Sequence, residues 1–294
     1  MPTSTTNRDD VASLEAGLDA LETPLVAESR FSGKSVLRSL GPPFLAIALL
    51  IVVWAWAAWA DVKADYLLPS PLDVWHTFLD TFNRGVAFEV IVNSLRRAFV
   101  GFAISIVLGT LLGLVMAQVN FVRRAIGPLV TGLQILPSVA WVPAALLWFG
   151  LTNNAMLFVV IMGATPSIAN GLLSGIDQIP TLYPKVGRVL GAQGISAIRF
   201  IILPAALPGY IAGLRQGWAF AWRSLMAAEL IAFSPALGLG LGQLLDQGRQ
   251  LSDMSVVALA IIMILVVGIV VELCIFAPIE RRVLRQRGLL GTRG

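Results

Sequence analysis

The sequence predicts an all-α integral membrane protein of six membrane-spanning helices, on two observations. Of its 294 residues 57% are hydrophobic and only 13% charged, with a mean hydropathy of +0.81, whereas about a quarter of the residues in soluble domains are charged. Six stretches, 42–60, 98–118, 126–149, 156–174, 205–233 and 255–277, also approach the roughly 20 apolar residues a helix needs to cross hydrocarbon with its backbone amides satisfied internally.

Residues 1–35 are expected to form a cytoplasmic tail, largely disordered, ahead of a membrane domain over 36–294. Arg8, Asp9, Asp10, Glu15, Asp19 and Glu22 interrupt every apolar run there, so no signal peptide is read. Val11, Leu14, Leu18 and Leu21 recur at helical spacing and allow short turns. After the first span, Val74, Phe78, Phe82 and Val86 recur about every four residues beyond Pro69-Ser70-Pro71. That pattern suits a helix on the membrane surface or one packed on the bundle.

In the second span Gly109 and Gly113 form a small-xxx-small pair, which lets two helix backbones approach closely. Pro137 and Pro143 interrupt the third span, where a bend either lines a pathway or is a structural kink. Arg215, Arg223 and Glu229 lie within the fifth. Arg215 falls about nine residues in, roughly 13 Å at the helical rise, where a charge must face protein or water. It is a pathway or pairing residue, and Glu272 is a candidate partner for Arg215 or Arg223. Glu229 falls on nearly the same face as Arg215, while Arg223 is turned about 120° from Glu229 and needs a different partner. A passing anion would serve. Pro137, Trp141, Arg215, Arg223 and Glu229 are therefore the candidate pathway residues. Trp148, Trp218 and Trp222, like Trp141, suit core or interfacial positions.

Charge sets the expected orientation, because loops rich in Lys and Arg stay in the cytoplasm. One side holds Arg30, Lys34, Arg38, Arg123, Arg124, Lys185, Arg188, Arg199 and five arginines between 281 and 293, thirteen in all, against Lys63, Arg84, Arg96, Arg97 and Arg249 on the other. Both termini are then inside, and 175–203 faces the cytoplasm. The glycine-rich run 235–242 faces outward and should bend sharply, either as an outer gate or as a connection. The basic end, Arg281, Arg282, Arg285 and Arg287, is expected to rest on anionic lipid.

The net charge of +4 would suit nucleic acid in a soluble chain, but these bases flank apolar segments and no nucleic-acid role is read. One cysteine, Cys274, and one histidine, His76, leave no metal site built from several such ligands. HExxH, GxSxG, a Walker loop and a GxGxxG between strand and helix are all lacking. No catalytic residue is assigned, and energy for uphill transport must come from outside the chain. An ATPase-independent channel or secondary transporter remains the alternative.

The connection between spans four and five, about 175–204, is unusually long. It reads as a helix from near Pro184 to Leu190, a turn at Gly191 and Gly194, and a second helix from about Ser196 to Ile202, leading into Leu203-Pro204. Its exposed Leu182, Val186, Val189 and Leu190 suit a partner surface or the bilayer surface.

Gly191, nine residues, Ile201, one residue and Leu203-Pro204 together resemble the cytoplasmic signature of ABC transporter permeases of the binding-protein-dependent, type I importer family. Lys185, Val186 and Gly187 stand where that family has Glu-Ala-Ala. Similarity to the nitrate, taurine and aliphatic-sulfonate branch extends through Leu68-Pro69-Ser70-Pro71, Ser94-Leu95-Arg96-Arg97, Trp148-Phe149-Gly150, Gly213-Leu214-Arg215 and Ala228-Glu229. The resemblance implies a six-transmembrane-helix permease with cytoplasmic coupling helices, in the bacterial cytoplasmic membrane with both termini inside. Lys185, Val186, Gly187, Gly191, Ile201, Leu203 and Pro204 would carry ATPase coupling. It further implies a second permease copy, two cytoplasmic ATP-binding subunits holding ATP and Mg, and an extracytoplasmic solute-binding protein, with no cofactor on this chain. The expected substrate is a small anion such as a sulfonate, taurine or nitrate; bicarbonate or a thiamin-precursor-like solute is the alternative within the family.

Overall fold

The computed structural model describes residues 33–60, 67–232 and 237–287, with backbone alone at 33–40 and 43. Most of the N-terminal tail, Lys63, the start of the 235–242 run and Arg293 lie outside the described residues. Among those described, every regular element is helical. Helix α1, Gly33–Trp59, covers the predicted first span and takes in the last three residues assigned to the tail. Its apolar part, Phe44–Trp59, is shorter than the other spans.

Helix α2, Pro71–Asn83, starts at a reciprocal cap: the Ser70 hydroxyl accepts from the Asp73 amide at 3.2 Å, and the Asp73 carboxylate accepts from the Ser70 amide at 3.0 Å. The Ser70 hydroxyl and amide together hold the Asp73 carboxyl below the usual carboxylate range. Val74 is buried, and α2 packs against the helix Met254–Val271 and against the next helix, so it belongs to the bundle. Val86 begins that next element, α3, Val86–Gln118, and does not complete the apolar stripe of α2.

The third predicted span is where the structure departs from the sequence reading. It is two arms, α4, Asn120–Ile135, and a 3-10 turn Ser138–Trp141 leading into α5, Val142–Phe149, set 101° apart. The break falls at Leu136-Pro137, where proline lacks the amide that would continue the helix. Pro143 causes no break, because it occupies the first turn of α5, where no amide partner is needed.

Helix α6, Asn153–Asp177, is central, packed on α3 along one face and on α8, Leu203–Ile231, along another. Glycine makes both contacts close. A Cβ at Gly109 would lie 2.8 Å from Ile168 Cβ and one at Gly113 would lie 2.9 Å from the Ala169 carbonyl oxygen, so the predicted pair does pack a helix. The α6–α8 contact is tighter still: Gly171 meets Gly213 and Gly175 meets Gly209 backbone to backbone, with hypothetical Cβ to Cα distances of 2.3 to 3.3 Å. Helix α7, Leu182–Val189, lies between α6 and α8 in sequence. Helix α9, Leu241–Gln250, precedes α10, Met254–Val271, which continues through a π-turn, Glu272–Phe276, into α11, Ala277–Gln286.

Among the described residues four helices, including the continuous runs Ile195–Ile231 and Met254–Gln286, are long and apolar enough to cross a membrane, and the bent pair makes a fifth. With α1 at the place of the first, this fits the predicted six-helix class.

Candidate functional site

Three regions of the described residues bring functional candidates together. The first is a cavity of about 240 Å³ at the α4–α5 break, lined by Gln134, Pro137, Ser138, Gly163, Phe220 and Arg223 among others. Arg223 lies on α8 with its guanidinium carbon 4.7 Å from the centre of the Phe220 ring, and its Nε donates to the Ala219 carbonyl at 3.1 Å. It has no carboxylate partner among the described residues. Gln134 also borders a second cavity of about 460 Å³, lined by Ser167, Asn170, Ser174, Gln178, Pro208, Ala212 and Gln216. The Asn170 amide donates to Gln134 Oε1 at 2.8 Å, and the buried Ser167 hydroxyl has no partner.

The two cavities follow from helical spacing. Gly163, Ser167, Asn170, Ser174 and Gln178 form one stripe of α6, and Pro208, Ala212, Gln216, Phe220 and Arg223 one stripe of α8, each stepping by three or four residues. Of all the lining residues only Arg223 is charged.

The expected pathway residues are thus separated. Pro137 and Arg223 share the first cavity. Trp141 instead meets Phe158 edge-on at 6.1 Å. Arg215 ion-pairs with Glu272, the partner named from the sequence, and with Glu280 at 2.9 Å. Trp218 and Trp222 stack at 6.1 Å in an aromatic cluster that Trp218 extends to Phe99, Phe102 and Phe276.

Glu229 lies in a second polar region that the sequence did not reveal. It is fully buried, 2.8 Å from Arg97 Nη1, and its carboxylate also accepts from the Ser94 hydroxyl at 2.8 Å and the Gly242 amide at 3.0 Å. Arg97 donates onward to Asn153 Oδ1 at 3.0 Å and to the carbonyls of Leu237 and Gly238. The described part of the glycine-rich run, 237–242, is thereby bound to α3 and α8. Gly238 has φ +71°, and a Cβ at Gly240 would lie within 2.6 Å of both Glu229 carboxylate oxygens, so glycine is required for the approach.

The third region is the 175–204 connection. α7 runs from Leu182 to Val189, Gly191 turns the chain at φ +82° and Gly194 at φ +55°, and a helical turn Ile195–Ala197 and a π-turn Ile198–Ile202 join α8 at Leu203-Pro204. This is close to the two-helix reading. Gly187 is buried because Ile201 covers it: a Cβ there would fall 2.0 Å from Ile201 Cδ1. Two of the expected coupling residues therefore pack together, while Lys185 and Val186 remain exposed on the outer side. Asp177, at the end of α6, takes a bidentate pair from Arg123, at 2.9 and 2.6 Å. No cluster of three or more metal-ligating side chains occurs among the described residues.

Residues 105–285 match the family model described as the binding-protein-dependent transport system inner membrane component. A protein of the ABC transporter permease type from Methanocaldococcus jannaschii is 31% identical over 76% of this chain and 84% of its own length. The taurine transport system permease protein of Escherichia coli is 26% identical over 87% of this chain and 91% of its own. The nitrate import permease protein of a Synechocystis strain is 29% identical over 78% and 84%. The fold also resembles an inward-facing structure of the MetNI methionine ABC transporter, with a TM-score of 0.54 and 21% identity over 70% of this chain and 98% of that one.

Proposed function

The chain belongs to the family of binding-protein-dependent transport system inner membrane components, and from that premise we propose that it carries a small anion, of the sulfonate, taurine or nitrate kind, across the cytoplasmic membrane. It is a non-catalytic, multi-pass permease subunit of an ABC importer, and its family implies separate ATP-binding subunits and a solute-binding protein. ATP and Mg belong to those ATP-binding subunits.

One observation supports the anion: Arg223 is the single charge on an otherwise neutral polar surface that runs from the Pro137 break along α6 and α8. A cation without a carboxylate attracts anions and repels cations, and Ser, Asn and Gln side chains replace lost water without holding the solute tightly. Relatives named for taurine and nitrate transport agree with that chemistry. In this reading two copies pair across the polar stripe, both termini are cytoplasmic, and the coupling segment docks on the ATPase. Because the helix Ile195–Ile231 runs unbroken from that segment past Arg223, movement of one end is delivered to the other.

The test is reconstitution with the ATP-binding subunits and the solute-binding protein, scoring uptake of nitrate, taurine, an alkane sulfonate and bicarbonate. Only the complete assembly should accumulate solute, and the preferred one should be an anion from that set. Gly191→Pro removes the positive φ, and Leu203→Asp places a charge where the π-turn passes into α8. Each should lower solute-stimulated ATP hydrolysis at least about tenfold with the protein still inserted. Uphill uptake by the permease alone, or full stimulation in both variants, would overturn the reading.

A further inference from the structure

Beyond Asp177, the coupling segment is charged in one sense only. From residue 178 to residue 228 the chain has no Asp or Glu, while Lys185, Arg188 and Arg199 are all exposed. The acid nearest in sequence, Asp177, is occupied by Arg123. Neither Lys185 nor Arg188 has an ion-pair partner among the described residues.

Lys185 has a specific setting. It follows Leu182 by three residues and precedes Val189 by four, so Leu182, Lys185, Val186 and Val189 share one face of α7. Its members lie about 100° to 160° around the helix from Gly187, the residue packed on Ile201. Leu182 is 62% exposed and Val189 88% exposed, so Lys185 shares its face with uncovered apolar side chains. Such a face excludes water when covered, and a cation left there unpaired is costly. A covering protein surface that supplies a carboxylate removes that cost.

We infer that the outer face of α7 docks on a pocket of the ATP-binding subunit that presents Asp or Glu to Lys185 inside an apolar rim. The inference rests on the proposed ATPase coupling and adds to it the sign of the contact, which sets which ATP-binding subunits this chain accepts.

The experiment measures affinity of the purified permease, in neutral detergent without lipid, for its own ATP-binding subunit. Lys185→Glu should weaken binding at least about tenfold. Lys185→Arg should stay near the parent, and the parent's affinity should fall as salt rises. Since Lys185 is exposed, none of these changes threatens folding. An unchanged or tighter Lys185→Glu complex would overturn the inference while leaving the importer reading intact, provided the parent binds. Absence of parent binding would overturn both. If Lys185→Glu keeps its ATPase affinity and loses only attachment to phosphatidylglycerol vesicles, the face belongs to lipid and the inference fails.

Discussion

Arg97→Leu should cost about 3–5 kcal/mol of stability, because it leaves the buried Glu229 carboxyl group sealed without its cation. Both partners are buried, at 3% and 0% side-chain exposure, so water cannot replace the lost guanidinium. The loss extends further, since the same guanidinium holds Asn153 and the 237–238 carbonyls. For a folded chain whose total stability is of order 5–15 kcal/mol, that is a large fraction. Thermal inactivation in detergent should fall by roughly 6 °C or more. The double variant Arg97→Leu with Glu229→Leu should recover part of the loss, because it removes both charges. A single variant as heat-resistant as the parent would show that the pair is not sealed.

The second large effect is expected at Gly213→Leu. A Cβ there would fall 2.6 Å from Gly171 Cα and 3.2 Å from the Ser167 carbonyl oxygen. Backbone cannot rotate aside as a side chain can, so α6 and α8 must separate. Overpacking of this kind costs about 1–3 kcal/mol when neighbours yield, and more when they do not. Separation would also widen the cavity that both helices line. Gly132→Leu is the control, since among the described residues nothing beyond its own helix backbone and chain neighbours lies within 4 Å of its Cβ position. Equal yields of folded Gly132→Leu and Gly213→Leu protein would refute the tight contact; loss confined to Gly213→Leu is the expected result.

Much of the fold was legible. Gly109 and Gly113 announced a helix contact through their four-residue spacing, and Pro137 announced a break through its missing amide. The 101° turn at that break was not legible, because a proline sets where a helix stops and the surrounding packing sets the angle. Gly171, Gly175, Gly209 and Gly213 carry the same small-residue spacing as the predicted pair. The signal that would have found them was therefore present, as was the repeat of Ser167, Asn170, Ser174 and Gln178 along an otherwise apolar span.

The candidate site divided differently. Arg215, Arg223 and Glu229 are alike in sequence as charges inside one span, yet each has a different fate. Arg215 is neutralised by Glu272 and Glu280, Glu229 by Arg97, and Arg223 faces a cavity.

The sequence by itself determined that this chain is a bundle of membrane-spanning helices with a basic, glycine-turned connection before the fifth. Those properties are local: an apolar run of sufficient length must close its own hydrogen bonds in lipid, and a positive φ calls for glycine. Only the tertiary structure decided which charges are paired and which is left facing a cavity. Arg97 and Glu229 are 132 residues apart, and their meeting depends on which helix faces the close glycine contacts bring together.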